Sequence, residues 1–159
     1  MSEIRVRIAD HAVAKGNGVV VTLGLGSCVA IALHDAAYDV GGLAHVLLPS
    51  REMSRDTENR AKFPESAVPL LLEEMRALGS RGPIVAKIAG GASMFGTALA
   101  GTSGNIGERN VAATCRALED ARIPLVGRDT GGDFGRSVYL HLRGGRVLVR
   151  SLARGDHAL

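Results

Sequence analysis

An α+β fold, with a mixed β-sheet covered by helices, is the architecture this sequence predicts. Three observations carry it. Short apolar runs rich in β-branched residues recur along the chain, GVVVTLGL and CVAIAL among them, and several are joined by segments of hairpin length. Two longer stretches carry apolar residues three and four apart, the spacing of an amphipathic helix. The two kinds of segment do not alternate strictly, which disfavours a doubly wound parallel sheet and leaves a layered, mixed one. At 159 residues and 46% hydrophobic composition the chain is long enough for one core and short for two, so 1–159 is expected to be a single domain.

Along the chain, Ile4 to Ile8 alternates apolar and charged residues and is expected as a half-exposed strand; Val19 to Leu23 is a more buried one. Cys28 to Leu33 and Leu43 to Leu48 are two further strands, joined by HDAAYDVGG, whose Asp and Gly content suits a hairpin loop. Ser50 to Lys62 is polar and lacks periodicity, as an exposed loop would. A helix is expected from about Ser66 to Leu78, with Val68, Leu71, Leu72 and Met75 on one face, Pro64 before it and Pro69 in its first turn. Pro83 to Ile88 is a buried strand running into GGASMFG. Asn105 with Glu108 three residues on resembles a capping box for a second helix, lined by Val111, Ala112, Cys115 and Leu118. Leu125 to Asp129, Ser137 to Leu142 and Val147 to Leu152 are the last strands, with Gly144 and Gly145 turning the final two into a hairpin.

Composition excludes several classes. The apolar runs are broken by glycines and polar residues, which argues against a membrane span, and MSEIRVRIAD has no apolar signal core, so the cytoplasm is the expected location. Net charge is +3, but the 19 basic residues are dispersed and aromatics are only 3%, unlike a nucleic-acid platform. GLGSCV has the first two glycines of a dinucleotide fingerprint but Val29 where the third belongs. A phosphate-binding GxxxxGK[ST], HExxH and paired CxxC are all missing from the sequence. DTGG at Asp129 matches one half of an aspartic-protease pair and reads as a strand-end turn. Two cysteines and five histidines without ligand spacing predict no metal site and no cofactor.

Cys28 and His45 stand apart because the expected hairpin brings them together. On adjacent antiparallel strands they become opposite or diagonal neighbours, with Cβ atoms roughly 5–8 Å apart. A thiol that close to an imidazole is expected to have a lowered pKa and to be reactive, whereas a lone cysteine among Val, Ala and Ile is ordinarily a small core residue. Gly24 and Gly26 weigh toward function, since two glycines are a poor choice for a strand and leave backbone amides open to a ligand or oxyanion. The amide of Cys28 with a neighbour, Gly26 or Ser27, is the expected oxyanion region. Gly90, Gly91 and Ser93 are candidates to line a substrate groove, with a tight turn as their structural alternative.

With TLGLGSC, GGLAHVLLP, KIAGGASMF, NIGERN, DTGG and GRSV in that order, the sequence resembles the CheD family, the chemoreceptor glutamine deamidases of bacterial chemotaxis. The resemblance runs from about Val19 to Arg150. It implies Cys28 as nucleophile, His45 as catalytic histidine and Thr22 as third member. It implies an α/β/α three-layer sandwich similar to the catalytic domain of cytotoxic necrotizing factor. It also implies a chemoreceptor helical bundle as substrate and a CheC-type phosphatase as partner. Two other readings remain open: a non-catalytic module that regulates the phosphatase or receptor arrays, and a receptor methylesterase.

Overall fold

The structure is a computed structural model that describes residues 2–93 and 105–159. Its strands form two five-stranded sheets. The first has β1 (Ser2–Val6), β3 (Gly18–Leu25), β8 (Arg136–His141), β9 (Val147–Ser151) and β10 (Gly155–Ala158), side by side in that order. The second has β2 (His11–Lys15), β5 (Val40–Val46), β4 (Val29–Asp35), β6 (Ile84–Gly90) and β7 (Leu125–Thr130). One pair in each sheet is parallel, β1 with β3 and β6 with β7. The other pairs are antiparallel, so both sheets are mixed.

Strand β4 explains the layering. All seven of its residues are buried, and because side chains alternate across a strand they serve two different cores. Val29, Ile31 and Leu33 pack with Val68, Leu71 and Met75 of helix α1 (Pro64–Ala77) and Leu118 of helix α2 (Ile106–Asp120). Ala30 and Ala32 face the other way, against Val20, Val138, Leu140 and Val149 of the first sheet. Large residues meet the helices and alanines meet the opposing sheet. The α+β class is thus as expected, but the α/β/α layering is not: among the described residues both helices lie on one face of the second sheet, and the first sheet covers the other. The alternation along β8 is the physical reason, since Arg136, Val138 and Leu140 are buried while Ser137, Tyr139 and His141 are only partly so. One apolar face must be covered, and the second sheet covers it.

Several boundaries move. The β4–β5 hairpin is tighter than expected, because Asp35 accepts hydrogen bonds from the amides of Ala37, Tyr38 and Gly82 and from the Ser80 hydroxyl. That cap lets both strands run closer to the turn. Helix α1 starts at Pro64, which takes the first helical position, while Pro69 lies inside the helix on its exposed side. Asn105 caps α2 as expected, its side chain accepting from the amide of Glu108. The buried face of α2 is rotated from the expected one: Ala112 is exposed, and Gly107, Asn110, Thr114, Ala117 and Leu118 are buried. Ser50 to Lys62 is mostly exposed, with short 3-10 turns at Arg51–Met53 and Arg60–Lys62.

Candidate active site

Three elements bring the candidate residues together. Thr22 is on β3 of the first sheet, His45 on β5 of the second, and Cys28 ends the short connection from β3 to β4. In the β4–β5 ladder Ala30 is opposite His45 and Val29 opposite Val46, so Cys28 is a diagonal neighbour of the histidine. Thr22 reaches His45 and Leu25 packs in the same inter-sheet core although they are three residues apart, a spacing that would put them on opposite faces of a regular strand. A β-bulge resolves this: Thr22 pairs with Val138 but Leu25 with Arg136. Gly24, at φ +69°, occupies the bulge. The backbone of His45 is held at both its polar groups by one segment, its amide donating to Asp10 O and its carbonyl accepting from the Ala9 amide.

The hydrogen bonds of Thr22 determine the state of the imidazole. Thr22 and His45 are wholly buried, and the Thr22 Oγ1 lies 2.7 Å from Val6 O and 2.7 Å from His45 Nδ1. A carbonyl oxygen can only accept, so the single hydroxyl proton goes to Val6, which the parallel register of β1 and β3 sets beside Thr22. Toward the imidazole Oγ1 therefore offers only a lone pair, and Nδ1 must carry the ring proton. Neutral His45 is left with a bare Nε2. That atom is buried and has no hydrogen-bond partner among the described residues.

Burial pushes His45 down to about 4. It also pushes the Cys28 thiol up, partly offset by the residue's own amide N–H. Sequence reasoning expected a lowered thiol pKa, and the structure reverses that direction. Either charged form would be cut off from solvent, since Cys28 is 7% exposed and His45 not at all. The resting pair is thus a neutral thiol and a neutral imidazole. Such a pair supports general-base catalysis, in which the proton leaves sulfur as sulfur attacks.

Behind Cys28 the backbone is held at three consecutive carbonyls. Gly26 O accepts from the Ala92 amide at 2.9 Å and Cys28 O from the Gly91 amide at 2.8 Å. Ser27 O accepts from Asn110 Nδ2 at 2.9 Å. Gly90 and Gly91, expected at a substrate groove, are buried in this seat at φ +113° and +68°. Gly26, Ser27 and Ser93 are partly exposed, and Met94 and Phe95 of the same motif lie outside the described residues. The DTGG turn backs the seat: the Gly131 amide donates to Gly90 O and the Ser93 amide to Gly132 O. Asp129 pairs with buried Arg136 at 3.2 Å, and Arg136 also donates to Gly131 O at 2.8 Å. DTGG is therefore a supporting turn, as its structural reading expected. Asn110 is the residue that sequence reasoning missed. Its signal in the sequence was its place as the last residue of NIGERN; the structure buries it wholly, with Thr114 one helical turn on.

No group of three or more His, Cys, Asp or Glu able to hold a metal occurs among the described residues. A thiol, an imidazole of fixed tautomer and a pinned backbone turn fit the class of cysteine-dependent hydrolases on an α+β scaffold. Comparison with known proteins narrows the class. The family model described as CheD chemotactic sensory transduction matches residues 47–151. Three relatives are similar over nearly their whole length. One from Moorella thermoacetica is 45% identical, covering 96% of this chain and 92% of its own. One from Geobacter metallireducens is 50% identical, covering 94% and 93%. One from Pyrococcus horikoshii is 44% identical, covering 98% and 96%. The first and third are named probable chemoreceptor glutamine deamidase CheD, and the second probable chemoreceptor glutamine deamidase CheD 2. The chain belongs to the CheD family.

Proposed function

We infer that this protein is a chemoreceptor glutamine deamidase, a protein-glutamine glutaminase, with Cys28 as nucleophile, His45 as general base and acid, and Thr22 as its orienting partner. The names of the relatives support the activity. The observation that carries the site assignment is the hydrogen-bond chain from Nδ1 through Thr22 to Val6 O, which leaves Nε2 bare on the ring diagonal to Cys28.

The reaction follows from that state. As Sγ attacks the carboxamide carbon of a glutamine side chain, its proton passes to Nε2 and the carbonyl electrons move to oxygen. Collapse of the tetrahedral intermediate breaks the C–N bond, and the imidazolium gives the same proton to nitrogen, which leaves as ammonia. A thioester remains on Cys28. Water then attacks it, giving a proton to Nε2, and the C–S bond breaks to release glutamate and return the thiol. Imidazolium forms in each half-reaction inside a buried site. The bond from Nδ1–H to Thr22 becomes charge-assisted at those moments, so Thr22 favours the transition state over the resting enzyme.

The proposal extends to what the family resemblance implies: a chemoreceptor helical bundle as substrate, competition by a CheC-type phosphatase, likeness to the catalytic domain of cytotoxic necrotizing factor, a cytoplasmic location, and the whole chain acting as one unit. No helix among the described residues is long and apolar enough to cross a membrane.

Mass spectrometry of receptor peptides after incubation with the protein tests the activity. Deamidation adds about 1 Da per site, as the thioester route requires. A loss of about 14 Da would instead mark hydrolysis of a methyl ester by the same thiol, and unchanged peptides would leave only a binding role.

A further inference from the structure

The seat behind Cys28 contains one side chain that the reaction above does not use. Asn110 is wholly buried on α2, and its Nδ2 donates both to Ser27 O at 2.9 Å and to Leu47 O at 3.1 Å. Those carbonyls belong to the segments that carry the two reacting side chains, one residue before Cys28 and two residues after His45. Its Oδ1 is buried with no hydrogen-bond partner among the described residues. An amide that leaves its acceptor unmet is an expensive choice for packing alone, since a buried unmet polar atom costs about 1–3 kcal/mol. Both of its N–H groups, however, are spent on the site.

Peptide planarity shows what the first of these bonds does. In a trans peptide the C=O and the following N–H point to opposite sides. Holding Ser27 C=O against Asn110 therefore turns the Cys28 N–H away from α2. That amide comes within reach of its own sulfur, where it favours the thiolate. A donor that reaches Sγ is one bond from the carbon that Sγ attacks, where the oxyanion develops. The neighbouring carbonyls, Gly26 O and Cys28 O, are held by Ala92 and Gly91, so Asn110 is the only side chain among these three restraints.

We propose that Asn110 is a positioning residue for deamidation: by holding Ser27 O and Leu47 O on one amide, it aims the Cys28 N–H at the developing oxyanion and sets the cysteine segment in register with the histidine strand. The inference rests on Cys28 being the nucleophile. It differs from a packing role because it acts chiefly on the oxyanion, so turnover falls much further than thiol alkylation, which forms no oxyanion.

The test measures turnover and alkylation side by side in Asn110→Ala, in the near-isosteric Asn110→Asp, which lacks the N–H donors, and in Leu118→Ala, which opens a cavity on α2 away from the loop. All assays run below each variant's melting temperature. Both Asn110 variants are expected to lose about 10- to 100-fold in kcat, less than outright removal of an oxyanion donor, with KM changed less than threefold. Their rate of Cys28 alkylation by iodoacetamide at pH 9 should stay within about threefold of wild type, a shift small beside that in kcat. Leu118→Ala should melt earlier with kcat unchanged. Wild-type kcat in folded Asn110→Ala overturns the proposal, as does an equal loss of kcat in Leu118→Ala, and if Asn110→Ala does not fold the Asn110→Asp result decides alone. Cys28→Ala distinguishes the failure of the underlying reading: turnover by that variant removes the nucleophile itself, whereas an inactive Cys28→Ala with a fully active Asn110→Ala removes only the role of the amide.

Discussion

Removing the Thr22 hydroxyl while keeping its shape, as in Thr22→Val, perturbs the site at one atom. At rest Oγ1 accepts from a neutral Nδ1–H at 2.7 Å, and in each transition state of the proposed reaction it accepts from an imidazolium. A hydrogen bond to a neutral group is worth about 0.5–1.5 kcal/mol and one to a charged group about 1.5–3, so roughly 1–1.5 kcal/mol is specific to the transition state. At about 1.4 kcal/mol per factor of ten, the expected loss in kcat is near tenfold. Thr22→Val also orphans Nδ1–H and takes the hydroxyl from Val6 O, both in a wholly buried setting. At about 1–3 kcal/mol for each unmet group, the fold should lose roughly 2–6 kcal/mol. That lowers the melting temperature by at least about 4 °C for a chain of this size. Ammonia release measured against a receptor fragment, with a thermal melt of the same sample, reads both effects, and Thr22→Ser should restore much of each. A Thr22→Val protein with wild-type kcat and an unchanged melt would refute the hydrogen-bond chain and the tautomer derived from it.

Cys28→Ala should abolish turnover and Cys115→Ala should retain it, because Cys115 packs at the edge of the helix–sheet core, on the opposite side of the second sheet from Cys28; ammonia release decides. His45→Ala should cost on the order of 100- to 10,000-fold in kcat, the usual range for a positioned acid–base group. With His45 held down to about 4, the acid limb of kcat/KM should fall near that value, well below an ordinary imidazole at about 6.5. Stability should follow the same group: its folded pKa is depressed, so the unfolded chain takes up the proton first and stability declines as pH drops from about 6.5 toward about 4, by on the order of 3 kcal/mol. Denaturant titrations at a series of pH values, compared with His45→Ala, isolate that slope. Gly90→Ala should inactivate the protein, since a Cβ there would overlap the Cys28 carbonyl oxygen. Gly24→Ala meets open space and should cost only the roughly 1–2 kcal/mol of a left-handed residue, a contrast visible in paired melts and activity assays.

The geometry of the candidate site was legible where chemistry and local pattern coincide. Cys28 and His45 are joined by a hairpin whose turn residues are plain in the sequence, and Asn105 with Glu108 marked the start of α2 correctly. What was hidden lacks a local apolar pattern or depends on partners far away in the chain. Strand β10 is exposed at all four residues, so it has no hydrophobic alternation and is held by its ladder with β9. Strand β2, HAVAK, is too short and alanine-rich to read as a strand without β5 beside it. Division of the strands between two sheets rests on long-range pairings, such as β3 with β8, which periodicity does not encode. The buried face of α2 turned away from the apolar stripe because Asn110 finds partners outside the helix at Ser27 and Leu47, while Thr114 is satisfied by Asn110 O of its own helix. Burial of the thiol and imidazole followed from the facing sheets, and with it the reversal of the expected thiol pKa.

Acyl-enzyme trapping tests the central claim, that Cys28 carries the deamidation, most directly. A glutamine peptide from a chemoreceptor methylation region is mixed with the protein, quenched in acid during turnover, and the protein is mapped by mass spectrometry. The thioester route predicts an adduct on Cys28 with the mass of the peptide less ammonia, about 17 Da lighter. It should be cleaved by hydroxylamine and absent from Cys28→Ala. Peptide deamidated at an undiminished rate by Cys28→Ala, with no adduct on the wild-type protein, would contradict the account.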